Sequence, residues 1–144
     1  MRLVVQRANS GSVHVDGKLI GEIGVGVVVL CGIHKNDKEE DLDFCVDKLL
    51  SSGYWDGKTC DDVNGGILLV SQFTLQARVG YGRKPDYSHA MPPDEAKGVF
   101  DTFVDKVRAR YNPELVATGE FGGYMDVHIE ADGPYTVTFD SFNQ

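Results

Sequence analysis

The chain has 144 residues, of which 42% are hydrophobic and 25% are charged, and this balance is typical of a folded domain rather than a disordered segment. Fourteen basic and 22 acidic residues give a formal net charge of −8, which argues against strong sequence-independent binding to a nucleic-acid backbone. No apolar run approaches the roughly 20 residues that a membrane-spanning helix needs, so we expect no membrane partner.

The cysteines and the first residues bear on the cellular compartment. Cys31, Cys45 and Cys60 are odd in number, and no two of them have the C-x-x-C spacing of a zinc or redox site. Residues 1–7 lack the long apolar core of a signal peptide and instead predict a first strand. We therefore expect free buried thiols and a reducing, cytoplasmic location.

Alternation and turn residues predict the elements of the first half of the chain. Strands are expected at residues 2–8, 12–16, 18–23 and 25–33, with Asp16-Gly17 as a hairpin turn. A helix is expected over 37–52, where Asp37 and Glu40 have the spacing of a capping box. Its apolar face has helical periodicity and consists of Leu42, Cys45, Val46, Leu49 and Leu50.

The second half predicts a short strand at 54–55, a loop at 61–66 and a strand at 67–75. Residues 76–91 show neither the helical nor the strand periodicity of apolar residues. A loop of this length is a candidate functional surface. A second helix begins at 92–95 and ends at Pro113, and strands follow at 124–130 and 135–139. We expect a single domain over 1–144, an α/β fold in which layered mixed β-sheets form a partly closed barrel with two packed helices.

Several common kinds of site are absent from the sequence. Gly24-Val25-Gly26 lacks the third glycine of a dinucleotide-binding loop, and Ser71 lacks the flanking glycines of a nucleophile elbow. The histidines have no metal-ligand spacing, so we expect neither a metal nor another cofactor. Three basic residues fall close together in the long loop, and on their own they fit a solvated surface better than a nucleic-acid contact: Arg78, Arg83 and Lys84.

Two segments combine polar and apolar residues in an unusual way. The simpler interpretation of Ser71 to Leu75 is a strand that runs out into solvent. The alternative is that backbone N–H groups freed at the strand end, with the Thr74 hydroxyl, hold a developing oxyanion. For residues 131–136 the simpler interpretation is a β-turn, in which a Gly-Pro bond can be cis at modest cost.

Taken together, these segments resemble the D-aminoacyl-tRNA deacylase family, and the similarity runs over essentially the whole chain. Residues 69–75 match the first signature of that family in full. The second signature, Asn-x-Gly-Pro-Val/Phe-Thr, here has Ala131 at its first position and Tyr135 at its fifth. Further matches lie in the segments Met1 to Arg7, Lys84-Pro85-Asp86, Ala90-Met91-Pro92 and Phe121 to Met125.

The resemblance implies a homodimer whose two active sites lie at the subunit interface, with the 3′ end of aminoacyl-tRNA as the partner. The Gly133-Pro134 unit, cis in the family, would project from one subunit into the pocket of the other, and Arg7 would help to fix it across the interface. The glycine carbonyl would then exclude an L side chain, whereas a D side chain or glycine would be accommodated, so that specificity rests on a clash.

The resemblance also implies roles for the residues of the first signature. The ester would lie beside Ser71, Gln72, Phe73 and Thr74, and main-chain N–H groups of Phe73 and Thr74 would stabilise the oxyanion. Thr74 as a nucleophile and water oriented by the 2′-hydroxyl of the RNA both stay open. The terminal adenosine would be held by two apolar side chains, those of Phe121 and Met125.

We therefore expect hydrolysis of the ester of D-aminoacyl-tRNA, and of glycyl-tRNA as a second substrate. Two alternatives stay open: a non-catalytic nucleic-acid-binding protein on the same fold, and a deacylase of relaxed chirality like an animal relative that shares Gly-Pro-Tyr-Thr. The intact signature from Ser71 to Leu75 favours the enzyme and the main family.

Overall fold

The computed structural model describes residues 1–80 and 82–143, so Tyr81, in the predicted loop, and Gln144 lie outside the described residues. The three helices are α1 (Glu39–Ser51), α2 (Cys60–Val63) and α3 (Pro93–Arg110). Two 3-10 helices span Phe73–Gln76 and Pro113–Leu115. The six strands are β1 (Arg2–Val15), β2 (Lys18–Ile23), β3 (Gly26–Gly32), β4 (Gly66–Ser71), β5 (Val116–Thr118) and β6 (Asp126–Asp140).

The strands form one mixed sheet that nearly closes into a barrel. Its order is β2-β1-β3-β4-β5, and β6 pairs with β1; β3–β4 and β4–β5 are parallel, and the other pairs are antiparallel. The outer strands of this order, β2 and β5, approach each other closely, since a Cβ added to Gly21 would lie 2.3 Å from the Thr118 carbonyl oxygen. A residue without a side chain permits this approach. The expected partly closed barrel is confirmed, with a one-turn α2 added to the two predicted helices.

Strands β1 and β6 are longer than the sequence predicts, because each was expected as two shorter strands. They pair with each other from Arg2–Asp140 to His14–Asp126, with register shifts between Gln6 and Ala8 and between Ala8 and Ser10. Such irregularities bend a strand without ending it. The turn predicted around Gly133 therefore lies within a continuous strand, opposite the bend in β1.

The two faces of the sheet bury separate apolar clusters. Alternate residues of β3, Val27 and Val29, face the larger cluster with the helices, whereas Val28 faces the smaller cluster inside the barrel. In β4, Leu69 and Leu68 divide in the same way. Both faces of these strands are covered, which accounts for their continuous apolar runs.

Helix α1 begins two residues later than predicted, and the proposed cap at Asp37 is wrong. Asp41 instead accepts a hydrogen bond from the Lys38 N–H at 2.8 Å. The carboxylate of Asp37 accepts from the His34 N–H at 2.8 Å and pairs with the buried α-amino group of Met1. The Asp37 side chain is thus directed toward the N-terminus and the His34 N–H rather than toward the first turn of the helix.

Two smaller expectations are also wrong, and one short strand was not predicted. Residues 54–55 form one bridge, Trp55 to Lys58, around a turn rather than a strand, and 61–66 includes most of the short helix α2. Strand β5 was not predicted, since three residues carry too little periodicity to be recognised. Within the described residues, no helix has the length and hydropathy required to cross a membrane.

The Gly26→Ala substitution should destabilise the fold strongly, because a Cβ there would lie 1.9 Å from the Gly66 carbonyl oxygen, across the parallel pair of β3 and β4. Forced separation of the two strands is expected to lower the free energy of unfolding by about 3 kcal/mol. Urea denaturation of Gly24→Ala provides the matched control, because no atom lies within 4 Å of a Cβ at that position. Equal stability of the two variants would contradict this packing.

Candidate active site

The first signature forms a sharp turn at the end of β4 rather than the predicted continuation of the strand. Beyond Ser71, the backbone of Gln72 turns at φ −148° and ψ 88° and enters the 3-10 helix Phe73–Gln76. A Cβ on Gly32 would lie 3.1 Å from the Gln72 carbonyl oxygen, and the buried Gln76 amide donates to the Gly32 carbonyl at 2.8 Å. The glycine in β3 thus allows the turn to pack closely and holds it there.

Phe73 and Thr74 are the first two residues of this 3-10 helix. The first N–H groups of a helix have no partner within it, so these two main-chain donors are available to a ligand. The Gln72 side-chain amide donates a hydrogen bond to the Thr74 hydroxyl. Main-chain donors and a hydroxyl therefore lie together at one strand end, an arrangement compatible with the alternative interpretation of this segment.

A cavity of about 770 Å³ lies beside this turn. Ser71, Gln72 and Phe73 line one side. The remaining lining comes from the ends of β3 and β4, the start of α3 and the segment before β6, and includes Ile33, Tyr87, Met91, Phe121, Tyr124 and Met125. The volume suits a nucleoside-sized ligand.

The side chains of the cavity position a ligand rather than supply a strong base. Among the described residues that line it there is no histidine, aspartate or glutamate. Cys31 lies at the cavity floor, but burial, followed by the nearby Cys45, raises the pKa of its thiol far above the usual range. The thiol is therefore protonated and is a poor nucleophile.

Phe121 and Met125 are held by contacts behind the cavity. The Phe121 ring packs against Phe100 of α3 with ring centroids 5.8 Å apart. Met125 packs against the smaller apolar cluster, and a Cβ on Gly119 would lie 2.7 Å from its sulfur. These contacts fix an apolar pair of side chains opposite the turn at Gln72.

A second cluster surrounds the other signature. The Arg7 guanidinium donates to the Tyr54 carbonyl at 2.7 Å and to the Asp132 carbonyl at 3.2 Å, pairs with the Asp132 carboxylate at 3.1 Å, and lies over the Tyr135 ring at 4.8 Å. These contacts join Arg7 to the Gly133-Pro134 segment of its own chain rather than to that of a partner. The Gly133-Pro134 bond is cis, and both residues are exposed.

The sequence motifs have counterparts in known proteins. A family model described as D-Tyr-tRNA(Tyr) deacylase matches residues 4–140. The chain belongs to the D-Tyr-tRNA(Tyr) deacylase family.

Two curated relatives illustrate how far the similarity to this family extends. The D-aminoacyl-tRNA deacylase of Thermosipho melanesiensis is 48% identical, and the match covers 98% of this chain and 97% of the relative. The D-aminoacyl-tRNA deacylase 1 of Homo sapiens is 43% identical, over 98% of this chain and 70% of the relative. The family expected from the sequence motifs is confirmed.

Solved structures of similar fold include two with different names. One described as c-Myc DNA Unwinding Element Binding Protein has a TM-score of 0.92 and 42% identity, and the match covers 97% of this chain and 98% of that one. Another, described as a probable eukaryotic D-amino acid tRNA deacylase, has a TM-score of 0.83 at 21% identity. The second likeness concerns the fold alone.

Within this deacylase-family chain, the predicted site residues fall into two groups. Ser71, Gln72 and Phe73 line the cavity with Phe121 and Met125. Thr74 joins them through the Gln72 amide. The second group consists of Arg7, Gly133 and Pro134. None of these three residues lines the cavity of its own chain.

The cavity residues that were not singled out individually from the sequence include Tyr87, Met91 and Tyr124. Tyr87 lies in the aperiodic loop, and its ring contacts the Phe73 ring with centroids 5.2 Å apart. Tyr124 lies in the glycine-containing segment between Phe121 and Met125. The available signal was the position of both tyrosines inside segments that match the family, next to residues already selected.

Proposed function

We propose that the chain hydrolyses the ester bond that joins a D-amino acid to the 3′ end of tRNA. The products are the free D-amino acid and tRNA. The observation that carries this proposal is the first-signature turn, from Ser71 through Thr74, at the edge of a nucleoside-sized cavity. Family membership and the names of the relatives support the same activity.

In the proposed reaction the ester carbonyl oxygen lies against the N–H groups of Phe73 and Thr74. These donors stabilise the negative charge that develops when a nucleophile adds to the carbonyl carbon. The bond to the ribose oxygen then breaks, and that oxygen takes up a proton. Phe121 and Met125 hold the terminal adenosine, so the ester is positioned before attack.

Two nucleophiles remain compatible with this arrangement. The Thr74 hydroxyl, oriented by the Gln72 amide, can add to the carbonyl and form an acyl-enzyme that water then hydrolyses. Alternatively, water oriented by the ribose 2′-hydroxyl attacks directly. The second route suits a cavity whose described lining residues include no carboxylate or imidazole.

We further propose that the chain acts as a cytoplasmic, single-domain homodimer with its active sites at the interface. The exposed Gly133-Pro134 unit of one subunit would enter the cavity of the other. Its carbonyl would occupy the space that an L side chain requires, whereas D-aminoacyl and glycyl groups would fit. Support comes from the rigid attachment of this unit through Arg7 and from its separation from the cavity of its own chain.

The activity is tested by release of D-tyrosine from D-tyrosyl-tRNA, with purified protein at micromolar concentration. We expect release well above the spontaneous rate. Release at only the spontaneous rate would contradict the proposed enzymatic activity. The high similarity to a protein named for DNA binding makes a non-catalytic nucleic-acid-binding role the second candidate, and retention of DNA by an inactive protein would favour it. The net charge of −8 argues against it.

A further inference from the structure

Tyr124 is the most unusual side chain at the mouth of the cavity. It lines the cavity and yet is 93% exposed. Among the described residues, no hydrogen bond or ring contact holds it. It follows Gly122, whose φ is +72°, and precedes the start of β6. An aromatic side chain presented to solvent beside a binding cavity is typical of a surface that binds a partner.

Basic residues lie in the loop that leads to another cavity residue, Tyr87. Arg78 and Asp86 exchange two backbone hydrogen bonds of 2.8 Å, which close the loop between them. Tyr87, the next residue, lines the cavity. Lys84 is three residues from Tyr87, so their Cα atoms are at most about 11 Å apart. The basic part of the loop therefore lies close to the cavity mouth.

The charges of this loop are available to a partner. Arg78, Arg83 and Lys84 are exposed, and none forms an ion pair among the described residues. The neighbouring Asp86 carboxylate accepts hydrogen bonds from the backbone and hydroxyl of Ser88 instead. This cluster of exposed positive charge is notable in a chain of net charge −8, even though Asp86 lies near enough to Arg78 for their charges to interact.

We propose that this lip, defined as Tyr124 with Arg78, Arg83 and Lys84, binds the unpaired nucleotides that precede the esterified adenosine. Tyr124 stacks on the base of the penultimate nucleotide, and the three basic side chains contact the adjoining phosphates. An aromatic platform beside a line of positive charge is the combination that binds single-stranded nucleic acid. The inference rests on the proposed function and adds a subsite to it.

The choice of RNA follows from the combination of an aromatic ring with basic side chains, since charge alone would also attract an acidic protein surface. A single strand presents both a base for stacking and phosphates at successive positions, and the partner subunit of the proposed dimer is expected at the cavity through its Gly133-Pro134 unit instead. Such a lip also shows how an acidic protein can bind tRNA: positive charge is needed only beside the 3′ end.

The stacking contact is tested with two esters that differ only in what precedes the terminal nucleoside: D-tyrosyl-tRNA and D-tyrosyl-adenosine. For Tyr124→Ala we expect KM for D-tyrosyl-tRNA to rise about tenfold and KM for D-tyrosyl-adenosine to stay the same. Tyr124→Phe, which retains the ring, should behave as the unmodified chain does. Because Tyr124 is 93% exposed, its removal should not disturb the fold.

The phosphate contacts are tested through salt dependence. Arg83→Gln combined with Lys84→Gln should reduce the slope of log KM against log salt concentration for D-tyrosyl-tRNA by about 1.4, because each contact to a single strand contributes about 0.7. Arg110→Gln is the control. It removes a positive charge near the far end of α3, about 21 Å along the helix from the cavity residue Ala96, and should leave the slope unchanged.

The outcomes separate this inference from the proposed function. An unmodified protein that hydrolyses neither ester contradicts the function. Active variants whose KM for D-tyrosyl-tRNA is unchanged overturn the lip. An equal rise in KM for both esters also overturns it, since Tyr124 would then contact the terminal adenosine. Fluorescence anisotropy measures the binding of an acceptor-stem RNA that carries no amino acid. This binding should weaken in Tyr124→Ala, and the measurement does not depend on catalysis.

Discussion

Substitution of Thr74 by alanine is expected to lower kcat for D-tyrosyl-tRNA by about 100-fold, while the fold is retained. The hydroxyl lies at the start of the 3-10 helix, beside the two main-chain donors, and the Gln72 amide fixes it. The main-chain donors remain in this variant, so the effect reports the hydroxyl alone. An effect on the order of 100-fold in kcat, the size typical for loss of one polar group at a catalytic site, corresponds to about 2.7 kcal/mol. Single-turnover kinetics with the pure variant measures the effect on the chemical step.

Thr74→Ser is the matched control, because it keeps the hydroxyl and should retain most of the activity. An unchanged kcat in Thr74→Ala would exclude the hydroxyl from the reaction. If Thr74 is the nucleophile and hydrolysis of the acyl-enzyme is the slower step, the unmodified protein should also show a pre-steady-state burst of released tRNA, and the acyl-enzyme should accumulate. Direct attack by water would give neither.

The second large effect is expected from Arg7→Ala, which should raise hydrolysis of L-tyrosyl-tRNA and lower the ratio of D to L rates at least about tenfold. Arg7 makes two hydrogen bonds, one ion pair and a cation–π contact around the Gly133-Pro134 unit. Without them the unit can move away from the space of an L side chain. The planar guanidinium group makes these contacts simultaneously, and a lysine ammonium cannot reproduce them. Arg7→Lys should therefore also lose selectivity.

Asp132→Asn provides a milder comparison, since it removes the ion pair but keeps the contact of Arg7 with the Asp132 carbonyl. We expect its D-to-L ratio to lie between those of the unmodified chain and Arg7→Ala. An unaltered ratio in Arg7→Ala, with D-tyrosyl-tRNA still hydrolysed, would show that the anchor does not set chirality.

Mixed dimers test whether the Gly-Pro unit acts across the interface. A heterodimer of Thr74→Ala and Arg7→Ala has one site with both defects and one with neither, provided that Thr74 and the unit come from different subunits. Mixing the two variants by co-refolding should then restore D-selective hydrolysis. If the unit acted within its own chain, each site would carry one defect and selectivity would not return.

Much of the fold was predictable because its signals are local. The face of α1 from Leu42 to Leu49 and the turn at Asp16-Gly17 follow from periodicity and from turn chemistry, and the structure confirms both. The extents of β1 and β6 were not predictable, because polar residues near the middle of each strand look like loops. Pairing along their whole length overrides that local preference.

The site was only partly predictable for the same reason. Phe73 and Leu75 alternate with polar residues, so residues 67–75 look like one strand. The turn into a 3-10 helix is fixed by close packing on Gly32, about 40 residues earlier in the chain. Likewise, Tyr87 and Tyr124 come together at one cavity only through the tertiary structure. The residues could be selected from family motifs, but their grouping into two clusters could not.

Hydrolysis of three matched substrates under one condition tests the stereochemical proposal most directly: D-tyrosyl-tRNA, L-tyrosyl-tRNA and glycyl-tRNA, each with the same enzyme preparation. If the carbonyl of the Gly133-Pro134 unit excludes L side chains, the D and glycyl esters should be hydrolysed rapidly. Release from the L ester should not exceed the spontaneous rate. Comparable rates for the D and L esters would contradict this steric exclusion and would favour a deacylase of relaxed chirality.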